Sequence, residues 1–154
     1  MNTTRISRSS TVALLVGCVL TVVAAIAVYG GQTASGILTA HVRAGYPSFT
    51  QDHIDAATDI YLTYLIVLGV LGALGWLTTL WVARRSTSWA RLLATGLWVV
   101  ATGIALFDLT VRDTSGDTAL PATVGWMGLA PCVAGLVAVV LLWRRPSHEK
   151  EALR

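Results

Sequence analysis

Residues 50–85, TQDHIDAATDIYLTYLIVLGVLGALGWLTTLWVARR, constrain this chain more than any other stretch. They open with Asp52, Asp55 and Asp59, run apolar for about 24 residues and stop at Arg84-Arg85. About 20 apolar residues cross the hydrocarbon core of a bilayer as a helix, which satisfies its own backbone groups where no water can. The segment is therefore predicted to be a complete transmembrane helix with both ends marked. Three further runs obey the same rule. The expectation is an all-α, integral membrane four-helix bundle, one four-pass domain over 1–154 with helices at about 11–30, 51–83, 89–111 and 122–143. Segments 31–50 and 112–121 are loops on one side; loop 84–88 and tail 144–154 are on the other.

Composition narrows the classes. With 55% hydrophobic and 12% charged residues, almost no length is left for a separate soluble domain. The net charge of +3 resides in short clusters at the ends of apolar runs. Such clusters orient helices, and no basic stripe or tail invites nucleic acid. With the N-terminus inside, the inner segments hold Arg5, Arg8, Arg84, Arg85, Arg91, Arg144, Arg145, Lys150 and Arg154, against Arg43 and Arg112 outside. That split predicts cytoplasmic termini and an outer 31–57 connection, broken by Gly36, Gly45 and Pro47. Aromatic residues agree: Trp81, Trp89 and Trp143 fall at the inner boundary, and Tyr29, Tyr61, Tyr64, Phe107 and Trp126 toward the outer one. Trp76 and Trp98 lie deeper and are predicted to face other helices.

The first run, 11–29, reads as a retained helix rather than a cleaved signal. Leu15-Val16-Gly17-Cys18 resembles a lipoprotein signal box, but the apolar run continues past Cys18 where a polar tether would be needed. An excess of Arg over Lys, with much Ala, Val, Leu and Gly, resembles small membrane proteins of high-GC actinobacteria. It points to a bacterial cell membrane.

Helices in lipid associate through small residues that allow close approach. Gly69, Gly72, Ala73 and Gly75, Gly96 with Gly103, and Gly128/Cys132 with Ala134/Ala138 are therefore assigned to the bundle core, with dimer contacts as the alternative. Pro131 removes a backbone donor inside the fourth run and predicts a kink.

Few residues carry chemistry. Asp108 stands near the outer end of an apolar helix, where the helix dipole and the low dielectric both disfavour a carboxylate. Arg112, four residues on, is its expected ion-pair partner. Asp55 and Asp59 lie along one face of the extended second helix and would join Asp108 and Arg112 in an outer acidic vestibule. His41, His53 and these acids have no defined ligand spacing, so no metal site, cofactor or catalytic group is expected. Cys18 and Cys132 read as small apolar filler. The functional expectation is a non-enzymatic accessory subunit or homo-oligomer acting through a membrane partner. The alternative is a transporter or channel component using the vestibule.

Overall fold

The computed structural model describes residues 7–144 and contains five helices: α1 (Arg8–Ser35), α2 (Ile37–Gly45), α3 (Gln51–Arg85), α4 (Thr87–Thr110) and α5 (Ala122–Trp143). Arg5, Arg145, Lys150, Arg154 and most of the tail lie outside the described residues. α1, α3, α4 and α5 are long and apolar enough to cross a membrane, as the hydropathy of the chain demands. They pack in a ring, α1 against α3, α3 against α4, α4 against α5 and α5 back against α1, with antiparallel neighbours. One end of the bundle carries Arg8, Arg84, Arg85, Arg91 and Arg144 and is called the basic end; the other carries α2 and the 111–121 loop and is called the loop end.

Two helices are longer than the bilayer requires. At about 1.5 Å per residue, the 28 residues of α1 extend about 42 Å and the 35 of α3 about 52 Å, against a hydrocarbon core of about 30 Å. The surplus lies at the loop end and seats α2. Gly30-Gly31 does not stop α1; the helix ends at Gly36, whose φ of 60° is left-handed and costs a glycine little. The Gln32 side chain then bridges the junction. Its Oε1 accepts from Leu38 N at 2.9 Å, and its Nε2 donates to Thr39 Oγ1 at 2.8 Å. The connection anticipated as broken loop is thus helical over Ile37–Gly45, with Leu38 and Val42 buried beneath it.

Two apolar clusters close the ends of the ring. Val28, Leu38, Leu120 and Val124 form a roof at the loop end, backed by Tyr61, Leu62 and Leu65. Leu14, Leu80 and Ala138 form a floor at the basic end, backed by Trp76. There Arg91 Nε donates to Leu142 O at 2.6 Å, satisfying one of the carbonyls left over at the end of α5. Arg85 lies 4.2 Å over the Trp81 ring.

The glycines divide. A Cβ at Gly69 would lie 2.9 Å from Ala25 Cβ and one at Gly72 would lie 3.0 Å from Thr21, so both hold α3 close to α1. Gly17 receives the face of Trp76, where an added Cβ would meet ring carbons at 2.3 Å. Gly125 and Gly135 on α5 accept Leu109 and Trp98 in the same way. Gly96 and Gly103 do not join the core: both are exposed, with open space where a Cβ would stand. The heptad spacing that assigned them to the bundle instead puts them together on its outer face. α5 runs through Pro131 without interruption.

Candidate functional site: a central cavity with one carboxylate

The ring does not fill its own centre. A cavity of about 330 Å³ runs between the floor and the roof, lined by residues of α1, α3, α4 and α5. Its walls are mainly Leu, Val, Ala and Gly, and Trp76 and Trp98 also line it. Both indoles are anchored. Trp76 Nε1 donates to Thr21 Oγ1 at 2.9 Å, and that hydroxyl donates to Gly17 O at 2.9 Å. Trp98 Nε1 donates to Cys132 O at 2.9 Å. A buried indole N–H needs an acceptor, and these bonds fix the rings as walls rather than as loose filler.

Among the described residues, Asp108 is the only carboxylate on the cavity wall, at its loop-end limit, and is 8% exposed. Tyr64 Oη donates to its Oδ1 at 2.8 Å, linking α3 to α4 across 44 positions of sequence. Oδ2 has no hydrogen bond from any described residue. The expected Arg112 partner is elsewhere. α4 ends at Thr110, Val111 turns extended at φ −62° and ψ 134°, and the helical spacing that would bring residue 112 over residue 108 stops there. Arg112 is exposed and its backbone pairs with Thr118.

The other vestibule acids are also apart from Asp108. Asp55 is exposed and accepts from Gln51 Nε2 at 2.7 Å, while Gln51 Oε1 accepts from Arg43 Nη2 at 2.5 Å. Asp59 is exposed on the same outward face of α3. Ile54 and Thr58 are the buried residues of that turn, and they fix the rotation that turns the acids outward. Asp108, singled out in the sequence, thus meets none of Asp55, Asp59 and Arg112, the neighbours expected for it. Tyr64, the residue that does meet it, was read only as a belt aromatic.

The roof over this site is polar on its outer side. His41 Nε2 bonds Thr118 O at 2.7 Å and Tyr46 Oη bonds Thr114 Oγ1 at 2.7 Å, tying α2 to the 111–121 loop. Tyr46 stacks on Phe49 at 4.5 Å, and His53 Nδ1 bonds Thr50 Oγ1 at 2.8 Å. Within the loop, Asp113 accepts from Ser115 N at 2.8 Å and from the Ser115 hydroxyl. Partial burial pushes the Asp113 carboxyl up, but the Ser115 bonds, Tyr46 and nearby His41 outweigh it and hold it below the ordinary carboxylate range. Among the described residues no three His, Cys, Asp or Glu side chains come together. Cys18 is half-buried in an unbroken α1, and Cys132 is buried with Sγ 3.5 Å from Gly128 O.

Some residues that line the cavity also reach the outside of the bundle, among them Leu71 of α3 and Val100 of α4. Tyr64–Asp108 closes the seam between α3 and α4 toward the loop end, and Gly75 against Leu97 closes it toward the basic end. Between them the lining residues Leu71 and Val100 are each 59% exposed.

No family model, curated protein or solved structure matches this chain.

Proposed function

We propose that this chain is a multi-pass protein of a bacterial cell membrane, with its basic end in the cytoplasm, that takes a small, largely apolar molecule into its central cavity as a transport component. The observation that carries this reading is the cavity itself. A four-helix ring of this size ordinarily closes on interdigitated side chains, because an empty space forfeits contacts on every wall. Here about 330 Å³ is left open, with tryptophans pinned at its edge and a buried carboxylate at one end. Drug-sized molecules occupy pockets of about this scale, apolar with a few fixed polar groups.

The test is ligand occupancy in nanodiscs. An uncharged phenylalkane should quench or shift tryptophan emission saturably, and Ala105→Phe, which adds bulk at a buried position of the cavity wall on α4, should abolish the response. An unchanged response in Ala105→Phe overturns the reading.

A second reading, an accessory subunit or homo-oligomer, rests on α4. Leu92, Gly96, Val99, Gly103 and Leu106 form one exposed stripe at helical spacing. Glycines facing lipid admit another helix closely. With Cys18 and Cys132 replaced by Ala, Gly103→Cys should then cross-link to a neighbouring chain in native membranes. Only monomeric product would remove this reading.

A further inference from the structure

We propose that the ligand of the cavity is an organic cation: an apolar body carrying a single positive charge, seated with that charge against Asp108 and entering from the bilayer between α3 and α4. The inference rests on the cavity reading above and names the class of molecule it would take.

Asp108 is more than nine-tenths buried, and only one of its oxygens is occupied, by the Tyr64 hydroxyl. A carboxylate has about four acceptor positions, so one phenol leaves most of its capacity open. No described Arg, Lys or His is bonded to it, and Arg112 is exposed beyond the helix end. A buried carboxyl stays ionised only beside a compensating charge, and the cavity is the side on which space exists to supply one.

The surroundings select the kind of cation. Calcium takes six to eight oxygen ligands and magnesium holds six, whereas among the described residues the Tyr64 phenol is the side chain bonded to Asp108 and no second carboxylate, His or Cys joins them in a metal-holding group. The remaining wall is mainly apolar, with the Thr21 and Thr79 hydroxyls already bonded to backbone carbonyls of their own helices, which suits carbon rather than a hydration shell. The direction of entry follows from the roof. Leu38, Leu120 and Val124 are 1–5% exposed and close the loop end against water. Leu71 and Val100, at the α3–α4 seam, are open. A molecule already dissolved in the bilayer has the shorter route.

The experiment compares two probes of the same shape on the full chain in nanodiscs: 3-phenylpropyl-trimethylammonium and its uncharged tert-butyl isostere. The wild type should hold the cation at least about tenfold more tightly, the difference expected of a charge–charge contact with a buried carboxylate. In Asp108→Asn, which still accepts from Tyr64, that preference should vanish while the isostere binds as before. The retained isostere binding also reports that the variant is folded. Equal binding of the two probes by the wild type, as a protonated Asp108 would give, overturns the cation assignment and leaves the cavity reading standing. Binding of neither probe overturns both. A cation preference that survives in Asp108→Asn places the charge elsewhere and overturns the role given to Asp108.

Discussion

Helices α3 and α4 are built from the same parts and use them in opposite ways. Each is long and apolar enough to cross a membrane, with acid near its loop end and glycines within its apolar section. α3 turns Gly69 and Gly72 inward against α1 and its acids Asp52, Asp55 and Asp59 outward. α4 turns Gly96 and Gly103 outward and Asp108 inward. The difference is one of rotation about the helix axis. A glycine promotes packing only on the face that meets a neighbour, and a carboxylate becomes a site only on the face that meets a cavity. The glycines share type and depth, so azimuth alone decides their role; the acids of α3 also stand further toward the loop end than Asp108, beyond the level of Tyr64.

The largest expected effect lies on the α3 side of this contrast. Gly69→Leu forces a side chain into a gap where even a Cβ would stand 2.9 Å from Ala25, and should cost about 3 kcal/mol of stability or more. Unfolding by SDS titration in mixed micelles measures it. If Gly103→Leu proves equally damaging, the two helices do not differ as described.

Removing the bond between them comes next. Tyr64→Phe strips Asp108 of its one donor while leaving the ring in place, a loss of about 1.5–3 kcal/mol for a bond to a charged group. The same titration should register it, and a neutral outcome would mean that Asp108 is satisfied without Tyr64.

Gly103→Ala should go the other way. Its added methyl meets nothing, so the gain of helix propensity, up to about 1 kcal/mol, is unopposed. Destabilisation seen only in native membranes, and not in dilute micelles, would instead place a second helix on that face.

Asp59→Asn should change stability by no more than about 0.5 kcal/mol, since the side chain is exposed. It should also leave binding of the charged probe untouched, in contrast with Asp108→Asn. A shared loss of cation preference would restore the wider vestibule in which Asp55, Asp59 and Arg112 accompany Asp108.

Much of this architecture was legible along the chain. The 24-residue apolar run ending at Arg84-Arg85 predicts α3 to within two residues at its basic end, and the four spans follow from the same rule. Trp76 and Trp98, read as facing other helices, do so. Asp108 was conspicuous because a carboxylate in an apolar run has few innocent explanations. Its partner was not conspicuous. Arg112 sits at the right spacing for a helix, but the helix stops at Thr110, and a boundary shift of that size is below what a hydropathy pattern resolves. α2 was missed for a related reason. The nine residues Ile37–Gly45 read as loop, and their helicity depends on Gln32 and on the apolar surface beneath Leu38 and Val42.

The sequence by itself thus determined the number, length and apolar character of the spans, because crossing hydrocarbon is a demand each segment meets alone. The tertiary structure decided which face of each span looks inward, and with it the open cavity, the seclusion of Asp108 behind Tyr64 and the outward placement of Gly96 and Gly103. In water, burial separates apolar from polar residues and marks the inner face in the sequence. Where lipid is as apolar as the core, that mark is largely erased, and only the fit of one helix against the next sets the rotation.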